Sequence, residues 1–188
     1  MNRPERTVPL SGAAVQRPIR TQRPPLYTPA ERVKRDTSVW TLVQGILAPV
    51  QFLVFLISIG LVLRYLSTGE GLTAATVSVV IKTLVLYTIM ITGCIWEKVV
   101  FDKWLFAPAF FWEDVFSMLV LALHTAYLVA LATDSLSPRG LMLLALAAYV
   151  TYAINAAQFI WKLRMARLDE AAAKRESGGL GAGQGLAA

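Results

Sequence analysis

Residues 96–114 have the sequence WEKVVFDKWLFAPAFFWED, which sets six charged residues and three tryptophans between two long apolar runs. A charged side chain at the centre of a bilayer costs at least about 2.5–3.5 kcal/mol, so a stretch this charged is unfavourable inside hydrocarbon. It is typical of a connector at the membrane surface, with a membrane span on either side. The stretch therefore predicts a polytopic membrane protein, and the apolar runs around it give the number of spans.

Four apolar segments are long enough to cross a bilayer, which takes about 20 helical residues. They cover residues 41–63, 73–96, 109–132 and 140–162, and STGEG and TDSLSPRG separate the outer pairs. None shows the period-2 alternation of a barrel strand. The predicted fold class is an all-α membrane protein with a four-helix bundle. Pro108 is expected at the start of the third helix, where its missing N–H costs nothing.

The residues outside the spans carry most of the net charge of +6. Residues 1–39 are rich in Pro and Arg and predict a disordered basic arm, residues 40–168 form the membrane domain, and residues 169–188 predict a flexible Gly/Ala-rich tail. Placing both tails and the 97–108 connector in the cytoplasm gathers nearly all Lys and Arg on one side, which favours cytoplasmic termini. The five tryptophans fall at the same predicted face of the membrane, the cytoplasmic one. The arm is expected to contact anionic lipid and not nucleic acid, through its basic residues Arg17, Arg20, Arg23, Arg32, Lys34 and Arg35.

A polar stripe runs along the third span, since Glu113, Ser117, Val120, His124 and Tyr127 share one helical face. Such a stripe predicts an inward face that lines a cavity, with His124 about 16 Å deeper than Glu113. Two simpler interpretations remain open. The acids at 113 and 114 can serve as favourable charges at a helix N-terminus, and a neutral imidazole can form a hydrogen bond between helices.

The other spans also contain polar residues. Thr151, Asn155, Gln158 and Lys162 share a face of the fourth span, and Gln44 and Gln51 align in the first. Amides in spans often tie helices together, which is the default interpretation of both sets. Pro49 is expected to free the Gly45 carbonyl. Lys82 either snorkels to the outer surface or presents a fixed positive charge to the cavity.

Motifs for several other functions do not occur in the sequence. There is one cysteine, Cys94, one histidine, and no glycine-rich phosphate loop, HExxH or GxSxG. Nucleotide-driven chemistry, zinc chemistry and paired histidine haem ligation are therefore disfavoured. Acid–base chemistry on an apolar ligand, transport and scaffolding remain, although no pair of spans has the internal repeat common in transporters.

The strings YTPAERVKRDTSVWTLVQGILAPVQFLVF and WEKVVFDKWLFAPAFFWEDVFSMLVLALHTAYL resemble the vinyl bacteriochlorophyllide hydratases of anoxygenic phototrophic bacteria. The resemblance covers about residues 27–168. It implies a hydro-lyase that adds water to the C3-vinyl group of a chlorophyllide, giving a 1-hydroxyethyl group in bacteriochlorophyll synthesis. No cofactor is implied beyond the Mg²⁺ that the substrate carries. A bacterial inner membrane and other pigment-biosynthesis enzymes are the implied location and candidate partners; the alternative is a non-catalytic pigment carrier or assembly factor.

Residue roles follow from that reaction as hypotheses. Glu113 is the expected general acid, and Asp114 or Glu97 is expected to position and deprotonate water, because crowded carboxyls can hold a proton near neutral pH. His124 is too deep to ligate the pigment Mg²⁺ while Glu113 acts, so it is expected in the cavity wall or a proton relay. The substrate-binding residues are expected to be Trp104, Phe106, Phe110, Phe111, Trp112, Tyr127, Asn155 and Gln158. Lys98, Lys103 and Lys162 are candidates for pairing with the propionate.

Overall fold

The computed structural model describes residues 26–184, and every regular element in that range is helical. The elements are α1 (Pro29–Thr37), α2 (Val39–Thr68), α3 (Leu72–Phe101), α4 (Phe111–Ala132) and α5 (Pro138–Gln184). The last four are long and apolar enough to cross a membrane, with Pro138–Ala172 as the qualifying part of α5. The prediction of four helical spans is confirmed. Each predicted span lies within its helix, apart from two residues before α4.

Part of the predicted arm is ordered as helix α1. Thr28 caps it reciprocally, since its hydroxyl accepts from the Glu31 N–H while the Glu31 carboxylate accepts from the Thr28 N–H at 2.7 Å. Glu170 on α5 lies 3.6 Å from both Arg32 and Arg35. These contacts hold α1 against the end of α5. Arg17, Arg20 and Arg23 lie outside the described residues.

Part of the predicted flexible tail is helical as well, because α5 continues to Gln184 and includes residues 169–184. Residues 185–188 of that tail fall outside the described range. Ala171 and Ala172 near the end of the apolar part are good helix formers, which favours continuation of the helix beyond the span.

Consecutive long helices form two antiparallel hairpins, α2 with α3 and α4 with α5, which contact each other less extensively. Gly69 and Gly71 adopt positive φ in the first hairpin turn, a conformation that glycine takes without steric cost. Pro108 does not begin the third span. It lies in a turn closed by the Phe110 N–H on the Ala107 carbonyl at 2.8 Å, so α4 starts at Phe111.

The hairpins pack tightly at the end of the bundle away from α1 and less tightly toward α1. At the tight end the Phe55 ring meets Tyr149 and Tyr152, and the Tyr149 hydroxyl hydrogen-bonds Ser58 at 2.5 Å. Near α1 a second cluster is built from the rings of Tyr27, Trp96, Phe101, Phe110 and Phe159. Between the two clusters the hairpins separate and enclose a cavity.

Candidate functional site

The cavity between the hairpins has a volume of about 820 Å³. That lies within the range of about 300–1,000 Å³ usual for sites that bind organic ligands. Its walls are apolar, with Phe52, Leu86, Met90 and Phe159 among them. Gly45 and Pro49 also line it, on the part of α2 where the proline frees a backbone carbonyl. The cavity can therefore accept a large apolar molecule.

Two carboxyl groups face this cavity from different helices. Glu97 of α3 and Asp114 of α4 are 6% and 4% exposed, and they lie close enough for their charges to repel each other. Burial and a like charge nearby both oppose ionisation of a carboxyl group, so two such groups together favour keeping a proton on one of them. The pair can therefore hold a proton beside an apolar chamber.

The connector between α3 and α4 fixes the orientation of these carboxyls. Asp114 Oδ2 accepts from the Phe106 N–H at 2.8 Å, and Glu97 Oε2 accepts from the Ala107 N–H at 3.2 Å. Phe106 has a φ of 57°, a strained value for an aromatic residue. Asp114 therefore binds the connector while it also lies in the first turn of α4, where the simpler interpretation placed it as a favourable charge.

Glu113 lies outside the cavity wall, although it is buried. Its Oε2 lies 2.6 Å from Lys162 Nζ, and the two side chains are 10% and 27% exposed. This ion pair ties the start of α4 to α5. Glu113 and Lys162 thus satisfy each other in an ion pair of their own, beside the Glu97–Asp114 pair with which the sequence had grouped Glu113.

The polar stripe of the third span is confirmed as an inward face, since all five of its residues are buried. Its members have different surroundings, however. Ser117 and Val120 line the cavity, whereas His124 and Tyr127 lie deeper in the core. His124 Nδ1 is 2.8 Å from the Val120 carbonyl, which is the intrahelical contact of a core histidine.

Lys82 is fully buried, so the interpretation in which it snorkels to the surface is wrong. Its Nζ lies 3.9 Å from the centroid of the Tyr152 ring and has no hydrogen-bond acceptor among residues 26–172. Tyr152 in turn lines the cavity, whereas Lys82 does not. The lysine therefore lies beneath the cavity and not in its wall.

The predicted aromatic surface is divided between inside and outside. Phe110 lines the cavity, whereas Trp104 and Trp112 are more than 60% exposed and Phe106 and Phe111 about 40%. Asn155 lines the cavity and donates to Ser117 Oγ at 2.8 Å. Gln158, three residues further along α5, is partly buried and is not part of the wall.

The opening near α1 carries residues that the sequence reasoning did not assign to the site. Arg35, Asp36, Arg167 and Glu170 line it. The Asp36 hydrogen bond raises the pKa of Arg35, whose guanidinium also lies 4.6 Å from the Tyr27 ring centroid. Lys98, one of the predicted propionate partners, instead binds Asp102 at 2.7 Å and so lowers the pKa of that carboxyl. Arg167 is twelve residues from Asn155, a difference of about 120° in helical phase, so the polar face predicted for this span did not indicate it.

The fold and this cavity define a four-helix membrane protein with a large apolar chamber and a carboxyl pair in its wall. Residues 27–165 match the family model described as 2-vinyl bacteriochlorophyllide hydratase, and the chain belongs to that family. A 2-vinyl bacteriochlorophyllide hydratase of Cereibacter sphaeroides is 69% identical over 150 residues, covering 79% of this chain and 92% of the relative. One of Rhodobacter capsulatus is 64% identical over 155 residues, covering 82% and 90%. No solved structure matches the chain.

Proposed function

We propose that the protein hydrates the vinyl group of a bacteriochlorophyllide in the cavity between its hairpins, with Glu97 and Asp114 as the shared proton donor. The observation that carries the proposal is this carboxyl pair in the wall of an apolar chamber, in a chain of the hydratase family. The reaction is that of a hydro-lyase acting in bacteriochlorophyll synthesis. The substrate is a macrocycle that brings its own Mg²⁺.

The reaction requires a proton before it requires water. Transfer of the shared proton to the terminal CH₂ forms a C–H bond and leaves a cation on the carbon next to the macrocycle, which delocalises the charge. Water then bonds to that carbon, and its released proton returns to the carboxyl pair. The product is the 1-hydroxyethyl group, and the enzyme ends in its starting protonation state. A positioned general acid of this kind contributes about 10²–10⁴-fold to rate.

Binding of the macrocycle is assigned to the apolar walls and the opening. Phe110, Phe52 and Phe159 offer ring surface to a flat ligand. Arg167 lines the opening and makes no ion pair with any acid in the described part of the chain. We assign it to the substrate propionate in place of the lysines that the sequence suggested.

The same proposal includes the placement of the chain in the membrane. The end of the bundle that carries α1 and the 102–110 connector is assigned to the cytoplasm, together with both termini, because it holds most of the Lys and Arg. The membrane is assigned as the bacterial inner membrane, with anionic lipid against the basic arm. Other pigment-biosynthesis enzymes are proposed partners on the cytoplasmic side.

Turnover in labelled water tests the reaction. The purified protein in detergent is incubated with a vinyl bacteriochlorophyllide in H₂¹⁸O, and the pigment is analysed by mass spectrometry. We expect a hydroxyethyl product that carries ¹⁸O. Binding of the pigment without a labelled product by a folded protein would instead support a carrier.

The carboxyl pair is tested by Glu97→Gln. The new amide can still accept from the Ala107 N–H and can donate to Asp114, so the fold is preserved while the shared proton is lost. We expect hydration to fall by about 10²-fold or more. Glu113→Gln is the matched control, since it changes a buried acid of the same stripe that is paired with Lys162, and it should keep most of the activity.

A further inference from the structure

Two carboxamide oxygens lie deep in the cavity without a hydrogen-bond donor. Gln51 and Asn155 both line the cavity, and they are 3% and 8% exposed. Neither Gln51 Oε1 nor Asn155 Oδ1 accepts a hydrogen bond from any residue that the structure describes. Buried acceptors are almost always satisfied by protein or by water. A pair of open acceptors facing one chamber therefore indicates a polar ligand between them.

The two amides lie at the same depth on neighbouring helices. Phe55 contacts Tyr152 and Ser58 contacts Tyr149, so α2 and α5 run antiparallel. Gln51 comes four residues before Phe55, and Asn155 three residues after Tyr152. A rise of 1.5 Å per residue then puts both amides about 4.5–6 Å from the Phe55–Tyr152 contact, on the same side.

Asn155 is further held in place from α4. Its Nδ2 donates to Ser117 Oγ at 2.8 Å, and Ser117 is on the cavity face three residues from Asp114. Asn155 thus lies about one helical turn deeper than Asp114. A ligand held by Asn155 therefore has the Asp114 carboxyl about one turn away.

We infer that Gln51 and Asn155 hold the water molecule that is added to the substrate, an inference that rests on the proposed hydratase function. Water donates one hydrogen to each amide oxygen, which leaves a lone pair directed away from both amides and into the chamber. That lone pair forms the C–O bond to the carbon next to the macrocycle, once the carboxyl pair has protonated the terminal CH₂. As the oxygen moves to that carbon, one of its O–H groups leaves its amide, and this O–H bond breaks with transfer of the proton to the carboxyl pair, which was left ionised by the first step. Both amides are positioning residues.

Isotope partitioning in D₂O separates water placement from proton transfer. Deuteron transfer to the terminal CH₂ followed by reversal leaves deuterium in the vinyl group, whereas capture by water gives the alcohol. In Gln51→Leu and Asn155→Leu, the cation still forms but water is poorly placed. We expect the ratio of vinyl deuterium to alcohol to rise about tenfold in each variant, the equivalent of one lost hydrogen bond.

Both quantities come from one sample, so their ratio is independent of the folded fraction. Gln51→Met is a second variant for the case in which leucine does not fold. Gln44→Leu is the matched control: Gln44 also lines the cavity from α2, but its Oε1 is not a buried acceptor without a donor, as those of Gln51 and Asn155 are. Its ratio should match the wild type.

Three outcomes are distinguishable. A raised ratio at both amides with an unchanged ratio in Gln44→Leu supports the inference. Equal loss of vinyl deuterium and alcohol, or no change in either, at Gln51 and Asn155 overturns it. Absence of ¹⁸O-labelled alcohol from the folded wild-type protein counts against the hydratase function itself.

Discussion

The ion pair between Glu113 and Lys162 offers a direct test of whether a buried acid stabilises the fold or takes part in the hydration reaction. Glu113 is nearly buried, and its Oε2 lies 2.6 Å from a lysine that remains about a quarter exposed. We expect this pair to stabilise the contact between α4 and α5 without taking part in hydration. The perturbation is a double-mutant cycle of Glu113→Gln, Lys162→Met and the two together.

The magnitude follows from burial. Removing one partner of a fully buried pair costs about 3–5 kcal/mol, because the remaining charge is uncompensated. The partial exposure of Lys162 reduces that cost, so we expect about 2–3 kcal/mol for Lys162→Met and about 1–2 kcal/mol for Glu113→Gln. The double variant should be more stable than the sum of the single losses predicts, with a coupling energy of about 1–2 kcal/mol.

Reversible unfolding in mixed micelles, followed by tryptophan fluorescence, measures these free energies, and hydration is assayed on the folded fraction. Activity per folded molecule should stay within a few-fold of wild type in all three variants. A coupling energy near zero would refute the structural role. A loss of activity in folded Glu113→Gln as large as that in Glu97→Gln would return Glu113 to the chemistry.

Three further substitutions test the cavity, its opening and the buried lysine. Gly45→Trp should reduce hydration more than tenfold, because Gly45 lines the cavity and an indole there takes up part of it. Gly60→Trp on the same helix lies outside the cavity and should leave turnover unchanged; a Cβ at either glycine meets nothing within 4 Å. Arg167→Gln should raise the KM for the free acid about threefold and leave the KM of its propionate methyl ester unchanged, while Arg164→Gln changes neither. Lys82→Met should raise stability by about 1 kcal/mol in unfolding assays, because it removes a buried cation whose partner is a Tyr ring, and activity should persist.

The helices and their inner faces were predictable from local periodicity. A span is defined by about 20 apolar residues, and the phase of one helix places Glu113 to Tyr127 on one side whatever packs against it. Both features are confirmed. What periodicity does not give is the rotation of one hairpin against the other, and that rotation decides which carboxyls meet.

Glu97 illustrates this limit. The predicted second span ended at residue 96, which left Glu97 in the 97–108 connector, but α3 continues to Phe101, so Glu97 lies within the helix and turns toward Asp114. Glu113, one residue earlier than Asp114 on α4, turns toward Lys162 instead. A difference of about 100° between adjacent residues in a helix thus sends two acids to different partners, and composition cannot distinguish them.

The different positions of the aromatic rings in the connector were not predictable for a related reason. Its rings look equivalent in sequence, but the turn at Ala107 and the positive φ of Phe106 direct Phe110 into the cavity and leave Trp104 and Trp112 exposed. Exposed rings at the level of a membrane connector are well suited to the lipid headgroup region. The anchoring interpretation therefore fits the two tryptophans, and the ligand interpretation fits Phe110.

Hydrogen-bond satisfaction divides the buried polar groups of the bundle into two kinds. Glu113 has Lys162, so this group stabilises a helix contact. Gln51 Oε1 and Asn155 Oδ1 have no donor within the described chain, and an unsatisfied buried acceptor costs about 1–3 kcal/mol. Leucine at either position would avoid that cost in a bundle that had only to fold. Two such oxygens at one depth, one of them about one turn from Asp114, are accounted for by a molecule that donates two hydrogen bonds and is consumed in the reaction, and water is the smallest molecule that does both.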